Sequence, residues 1–330
     1  MHTMNHRITL AERPVGDIAD SCFARDDVPV PTPGPGEVLA EVTWLSIDPT
    51  IRGWMAYDTY LPAIEIGAPI RSSGLATVIE SNNDAYPVGA TVTGLTGWQQ
   101  YVVFERGFRV LPDGVPPEAA LSVFGTTGLT AYFGLLDVGR PVAGETVLVS
   151  GAAGATGSVV GQIARIKGCR VVGIAGSAEK CSWLVDELGF DEAINYKTDN
   201  VRRSIRAACP DGVDVFFDNV GGDILEAAIN NLALRGRVVL CGAISQYNDV
   251  APTPGPKNLS VLIGRRGRME GFIVLDYLSR AGEAIADLAG WIGDGELSYK
   301  TYVVDGLDNA PQALNTLFTG ENTGKAMVRL

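Results

Sequence analysis

Histidine is almost missing from this chain: 330 residues contain two, His2 and His6. Only one cysteine, Cys22, precedes Cys169, and no CxxC pair occurs anywhere. A catalytic zinc needs Cys, His and carboxylate ligands around an open position, so no resident metal is expected. Without that Lewis acid, direct oxidation of an alcohol is not the expected chemistry. Both histidines fall in an N-terminal stretch expected to be mobile. The five cysteines are odd in number and scattered, which fits reduced thiols better than a disulfide framework. Cys169 and Cys241 lie in apolar strand-like runs and read as small buried hydrophobes.

Positive charge is also short, with 26 Lys and Arg against 38 Asp and Glu and a formal net charge of −12. The average surface therefore repels nucleic acid and anionic membranes, and an anionic ligand must be captured locally. No run approaches the ~18 apolar residues of a membrane span, and Met1–Leu10 lacks a basic segment followed by an apolar stretch. A cytoplasmic protein with neither nucleic-acid nor membrane partners is expected. Low-complexity tracts and internal repeats are absent too. With 46% hydrophobic residues, 40 glycines and 18 prolines, the chain should fold throughout.

At 330 residues the chain is longer than one core usually supports, which suggests two domains. From Arg7 to about Arg109 the pattern is short and β-like, with strands expected at Glu37–Trp44, Gly74–Ile79, Thr91–Leu95 and Gln100–Phe104 between Pro/Gly turns. The style changes after Leu111–Pro117. Ala119–Leu136 reads as one segment of helical length leading into regular βα alternation.

Strands are expected at Thr146–Ser150, Arg170–Ile174, Glu192–Asn195, Val213–Asp218, Arg237–Cys241 and Met269–Val274. Helices are expected at Ser158–Lys167, Glu179–Glu187, Asn200–Ala208, Ile224–Leu232 and Gly282–Ile292. Nearly all-apolar strands alternating with amphipathic helices signal a doubly wound parallel α/β sheet. A proline-rich loop, Ala251–Gly255, interrupts the series. The tail returns to short strands, Leu297–Val304 and Ala326–Leu330, around a helix at Ala310–Thr319. The expected division is therefore 1–120 with 295–330, and 121–294.

The most informative stretch is Thr146–Arg165, TVLVSGAAGATGSVVGQIAR: strand, glycine turn and helix in immediate succession. In dinucleotide sites the middle glycine of the turn admits the pyrophosphate to the backbone. The last glycine lets helix and strand pack closely, and the helix N-terminus supplies N–H donors. Gly154 and Gly157 fill those places, while Ala152 stands where the first glycine is usual. At the end of the next strand an acid would hold a ribose 2′-hydroxyl. None is there: Gly176 and Ser177 follow Ala175, with Lys180 close behind, which favours a 2′-phosphate and hence NADPH. Lys180 as a solvated helix-face charge remains open, and Glu179 beside it offers a competing carboxylate.

Further stretches carry a family likeness: IDPTIRGWM (Ile47–Met55), GTTGLTAYFGL (Gly125–Leu135), GSVVGQIARIKGCRVVGIAGSAEKC (Gly157–Cys181), INYK (Ile194–Lys197), VFFDNVGG (Val215–Gly222), GRVVLCGAISQYN (Gly236–Asn248) and MEGFIV (Met269–Val274). Through them nearly the whole chain resembles the zinc-independent medium-chain dehydrogenase/reductases, in particular the leukotriene B4 dehydrogenase/prostaglandin reductase branch with its alkenal and alkenone reductases.

The resemblance implies a Rossmann-type NADPH domain beside a mostly β GroES-like catalytic domain, in a homodimer. It implies that Gly154, Ala155, Thr156 and Gly157 meet the pyrophosphate. Ser177, Lys180 and Tyr196 would surround the 2′-phosphate. Asn219 and the loop Cys241, Gly242, Ala243, Ile244, Ser245, Gln246 and Tyr247 would line ribose and nicotinamide. Phe272, Ile273, Val274 and Asn322 would complete the cofactor contacts. On the residues alone, Tyr196 and Asn219 read as ordinary loop hydrogen-bonding groups.

The implied reaction is hydride delivery to the β-carbon of a small enal or enone. Tyr247 lies beyond a strand's carboxyl end, where open α/β sheets bind ligands, and its phenol can donate to a developing enolate. A packing tyrosine fits the same position. Tyr57 is a candidate for the substrate pocket. Asp48 and Arg52 read as a structural turn pair, and Thr50 and Ile51 stand where relatives often carry Tyr-Met, which bears on pocket shape. A zinc-free quinone reductase and a non-catalytic NADPH-binding protein are the alternatives.

Overall fold

The computed structural model describes residues 3–251 and 253–330, so His2 and Pro252 lie outside it. Two units emerge, one formed by residues up to Leu121 together with Thr301–Leu330, the other by Ser122–Lys300.

In chain order the first unit contributes β1 (Met4–Leu10), β2 (Phe23–Pro29), β3 (Val38–Ser46), α1 (Thr50–Ala56), β4 (Ser73–Ser81), β5 (Thr91–Leu95), β6 (Tyr101–Phe104), β7 (Arg109–Val110) and α2 (Pro117–Leu121). The second contributes α3 (Thr126–Phe133), β8 (Thr146–Val149), α4 (Ala155–Ile166), β9 (Arg170–Ala175), α5 (Ala178–Ser182), β10 (Glu192–Asn195), α6 (Val201–Ala208), β11 (Val213–Asp218), α7 (Gly222–Asn230), β12 (Leu232–Leu240), α8 (Ser260–Arg265), β13 (Arg268–Gly271) and α9 (Ala281–Gly293). The chain then returns with β14 (Thr301–Asp305), α10 (Ala310–Thr319) and β15 (Lys325–Arg329).

The second unit's sheet runs β10-β9-β8-β11-β12-β13, every pairing parallel. A parallel sheet is covered on both faces, and the residues obey that: Val147, Leu148, Val149, Phe216 and Phe217 are all fully buried. Neighbouring residues of a strand face opposite layers. Phe216 accordingly joins the cluster of Ile205, Ala228 and Ile229 from α6 and α7, while Phe217 meets the Phe272 ring edge-on at 6.4 Å. Each such side chain contributes about 1.5–3 kcal/mol through burial. This is the Rossmann-type doubly wound sheet.

The first unit is mostly β. Its larger sheet runs β14-β15-β3-β4-β5-β7, with β6 also on β3, and β1 pairs with β2 separately. β14 and β15 are parallel and the remaining pairings antiparallel.

Several expectations need correction. Ala119–Leu136 is not one helix, because α2 stops at Leu121 and α3 starts after Gly125, whose backbone is extended. Gly128 explains the break: a Cβ there would lie 1.9 Å from the Val123 carbonyl oxygen, so the turn folds tightly onto the first turn of α3. Residues 295–300 go with the second unit rather than the tail. Ser298 N–H donates to Gln162 Oε1 at 2.8 Å, and Arg165 donates to the Glu296 carbonyl at 2.6 Å, tying the segment to α4. β13 ends at Gly271, so Phe272–Val274 leave the sheet, and Leu232 begins a strand instead of ending a helix.

His6 is not in a mobile end but in β1, with Nδ1 2.9 Å from Asp27 and Nε2 3.2 Å from Asp308. Nor do Asp48 and Arg52 pair. The Lys325 ammonium, 1% exposed, donates to Asp48 Oδ1 at 2.8 Å and to the Ile47 carbonyl at 2.6 Å. Ser46 donates to Asp48 Oδ2 at 2.5 Å. The buried Arg52 guanidinium donates instead to the carbonyls of Pro14 and Gly16 at 3.3 and 3.0 Å.

Two outcomes follow from these charges. Burial opposes a charge on His6, but Asp27 and Asp308 more than offset it and raise its pKa above the ordinary value of 6.5. A group whose pKa rises on folding stabilises the fold below its unfolded pKa, and that stabilisation is lost as pH rises through the folded value. His6→Gln should therefore lower the thermal midpoint more at pH 6 than at pH 8; equal losses would discount the ion pairs. Lys325→Met should cost about 3 kcal/mol in urea unfolding, the lower end of the range for removing one member of a buried pair, since Asp48 keeps some access to water.

Candidate functional site

From β8 the chain winds outward through β9 to β10, then crosses back to place β11 on the other side of β8. The strand order therefore reverses between β8 and β11, and ligands of open α/β sheets bind outside the carboxyl ends at such a point. The expected site residues of the second unit all follow strand ends: Gly154–Gly157 after β8, Ser177 and Lys180 after β9, Tyr196 after β10, Asn219 after β11, Cys241–Tyr247 after β12 and Phe272–Val274 after β13.

The turn after β8 is shaped by two glycines. Gly151 has φ +56°, and a Cβ on Gly157 would lie 2.4 Å from the Gly151 carbonyl oxygen, so the start of α4 presses directly on the turn. Gly154 differs: a Cβ there would meet only the Gly151 oxygen, at 3.2 Å, so packing within the protein leaves room above it. No side chain caps α4 and no acid lies in its first turn. Its N-terminal N–H groups and positive dipole end, with Ala155 and Thr156 half-exposed, fit a phosphate.

At the ends of β9 and β10 the structure brings Ser177, Lys180 and Tyr196 together. The Tyr196 ring lies over Gly176, where a Cβ would be 2.9 Å from its edge. Ser177 Oγ accepts the Lys180 N–H at 3.2 Å as the cap of α5. Burial, and then the charge of Lys197, lowers the Lys180 pKa, so two ammonium groups repel each other here. Glu179 keeps the competing role that the sequence offers. Hydrogen bonds from its own backbone N–H and from Ser177 hold its carboxyl below the ordinary value, so the charged group lies beside Ser177 itself. In the sequence Lys197 is marked only as the last residue of INYK, next to Tyr196.

At the switch point the fully buried Asp218 carboxylate accepts hydrogen bonds from Ser150 Oγ at 2.7 Å, Val220 N–H at 3.0 Å and Gly221 N–H at 3.1 Å. Burial raises its pKa against these bonds, which lower it. Asn219 donates through its N–H to Ser150 Oγ at 2.8 Å and through Nδ2 to the Ser150 carbonyl at 2.7 Å. The loop after β12 lies alongside. Cys241 and Gly242 N–H groups bind the Asp218 carbonyl at 2.9 and 3.1 Å, Ile244 N–H binds the Asn219 carbonyl at 3.3 Å, and Ser245 Oγ binds the Val220 carbonyl at 2.6 Å. Cys241 is half-buried as a residue but its sulfur is enclosed; burial, then the Asp218 charge, pushes the thiol up to about 12. The Tyr247 phenol oxygen accepts the Ala243 N–H at 3.2 Å. That bond uses an oxygen lone pair rather than the hydroxyl proton.

The remaining candidates divide. The Phe272 ring packs against Phe217 and Tyr277, both at 6.4 Å, and against Gly134, while Val274 is buried; these side chains are engaged in packing. Asn322 and Tyr57 belong to the first unit. Asn322 Nδ2 binds the Gly324 carbonyl at 3.1 Å, and Tyr57 follows α1 with 55% of its surface exposed. An open hollow of about 800 Å³ on the first unit, lined by Pro33–Gly36 and Ser81–Asp84 among others, is unrelated to these motifs, and its Asn82 amide is taken up by the Pro33 and Gly34 carbonyls.

Two family models match the chain, one described as the N-terminal domain of oxidoreductase over residues 6–109 and one as zinc-binding dehydrogenase over residues 155–289. The NADPH-dependent curcumin reductase of Escherichia coli (strain K12) is 39% identical, covering 99% of this chain and 97% of its own. Prostaglandin reductase 1 of Rattus norvegicus is 42% identical, covering 97% and 98%. The crystal structure of CurA from Vibrio vulnificus in complex with NADPH superposes with a TM-score of 0.94 at 40% identity over 98% of each chain. The word zinc in the second model's description finds no counterpart in ligand geometry: among the described residues no three His, Cys, Asp or Glu side chains gather where they could hold a metal ion. The chain belongs to the zinc-independent medium-chain dehydrogenase/reductase family, in its alkenal-reductase branch.

Proposed function

We propose that the protein is an NADPH-dependent reductase of the carbon–carbon double bond in α,β-unsaturated aldehydes and ketones. The observation that carries this reading is the pair Lys180 and Lys197 at the end of β9 and β10, where an acid that would select NADH is missing. Mutual repulsion between the two ammonium groups is relieved by a phosphate dianion, so the fit is to a 2′-phosphate rather than a 2′-hydroxyl. The relatives named for NADPH support it.

In this reading Gly154–Gly157 and the N-terminus of α4 hold the pyrophosphate, and Ser177, Lys180, Tyr196 and Lys197 hold the adenosine phosphate. Asn219 and Cys241–Tyr247 line ribose and nicotinamide, and Phe272–Val274 contribute through main chain. Bound NADPH supplies a hydride. Tyr247 donates its hydroxyl proton as a hydrogen bond to the substrate carbonyl oxygen, where negative charge collects as the β-carbon becomes saturated. The Ala243 N–H hydrogen-bonds the same phenol oxygen. Water delivers the proton that completes the α-carbon. The first unit, with Tyr57, handles the substrate. No helix among the described residues is long and apolar enough to cross a membrane; a cytoplasmic homodimer is part of the same proposal.

Purified protein should consume NADPH, followed by absorbance, with a panel of enals and enones, and yield the saturated carbonyl. Consumption with quinones alone would replace this reading by quinone reduction; binding without turnover of either class would leave a non-catalytic protein. Lys180→Ala should raise the NADPH Kd about tenfold or more, the equivalent of ~1.4 kcal/mol from one charge-assisted contact, and leave NADH binding unchanged. Tyr247→Phe should lower kcat about 100-fold, the usual effect of removing one donor to a developing oxyanion, with the NADPH Kd unaltered.

A further inference from the structure

The Asp218 carboxylate is fully buried, and the hydrogen bonds that hold it come from neutral donors: a hydroxyl of one strand end and two N–H groups of its own loop. Burying an ionised group is costly unless something specific offsets it. The geometry shows what the pair of Ser150 and Asp218 does in return. Through its side chain Asp218 reaches β8, and through its carbonyl it holds Cys241 and Gly242 at the end of β12. Ser150 closes the arrangement by accepting the Asn219 N–H on the same oxygen that donates to Asp218. Three strand ends are thereby joined at one residue, β8 through the Asp218 carboxylate and β12 through its backbone carbonyl.

We infer that Ser150 and Asp218 are positioning residues for the nicotinamide half of the cofactor: their hydrogen bonds set Asn219 and the start of the Cys241–Tyr247 loop before any ligand arrives. The inference rests on the NADPH reading above. A second observation gives it direction. The same carboxylate accepts the Val220 and Gly221 N–H groups immediately before α7, whose first turn already contains Asp223. The α7 N-terminus thus already faces a carboxylate, whereas that of α4 has neither cap nor acid. Pre-set geometry of this kind lowers the ordering cost of binding, and Asp218 leaves α4 as the helix end available to a phosphate.

Ser150→Ala removes the bond to Asp218 and the acceptor of the Asn219 N–H; Asp218→Asn keeps an acceptor at Oδ1 but removes the charge and the 3.1 Å Oδ2 bond to Gly221. Both should be titrated with NADPH and with 2′,5′-ADP, which carries only the adenosine half and its phosphates. The expected result is an NADPH Kd raised about tenfold in Ser150→Ala and less in Asp218→Asn, with 2′,5′-ADP binding within twofold of wild type. Equal losses for the two ligands would show a general structural role and overturn the proposal, as would unchanged NADPH binding. Should the variants fail to fold, hydrogen exchange of the wild-type protein decides: the amides of residues 219–221, 241 and 242 should be protected before NADPH is added, and free exchange there would overturn pre-positioning. Wild-type protein that binds neither ligand would refute the cofactor reading itself and this inference with it.

Discussion

Parallel strands cannot be joined by a tight turn; each needs a crossover, and six strands running one way place all their carboxyl-end loops along a single edge. The second unit depends on that constraint. The central strands β8, β9 and β11 are largely buried and apolar, yet every second-unit residue assigned to the cofactor lies just past the end of a strand. The sheet sets their spacing, and the reversal of strand order between β8 and β11 opens the crevice in which Ser150, Asp218 and Asn219 meet. Sheet and site are therefore one arrangement.

Electrostatics divides the work along this edge. The protein is acidic overall, with a formal charge of −12, so a polyanionic cofactor is drawn in only where local groups reverse the sign. In the proposed reading two devices do so in the second unit: the uncapped start of α4, which acts through backbone dipoles, and the lysine pair beside Tyr196, which acts through full charges. The first is indifferent to which dinucleotide is present. The second is proposed to discriminate, because only one of the two natural nicotinamide cofactors brings a further phosphate to it.

The parallel sheet and the glycine turn were legible in the sequence because both are local: apolar runs of strand length, and glycine at positions where a Cβ would strike the turn. What was not legible depends on residues far apart in sequence. Nothing near Asp48 announces that Lys325 is its partner, 277 positions later, and Arg52, four residues away, was the natural but wrong choice. Ser150 and Asp218 are separated by 68 positions, and although one stands directly before the glycine turn and the other inside VFFDNVGG, nothing local pairs them. The helix at Ala119–Leu136 looked continuous because composition carries no trace of the Val123 carbonyl that only glycine at 128 tolerates. His6 looked peripheral by position, yet strand pairing with β2 holds it between two carboxylates.

The order of strands in the first unit has a consequence for how the chain is made. β15 lies between β14 and β3, and its first residue, Lys325, is the cation that neutralises Asp48 beneath the β3–α1 turn. Until these later residues have been synthesised, β3 lacks a neighbour beside Trp44–Ser46, although β6 already covers Val38–Glu41 on that side, and Asp48 lacks its counter-charge. The second unit has no such debt, since all of its strands emerge before residue 300. Domains tend to fold as units during synthesis, so the second unit can fold before the first is complete, with the Trp44–Ser46 end of β3 an open edge until β15 arrives.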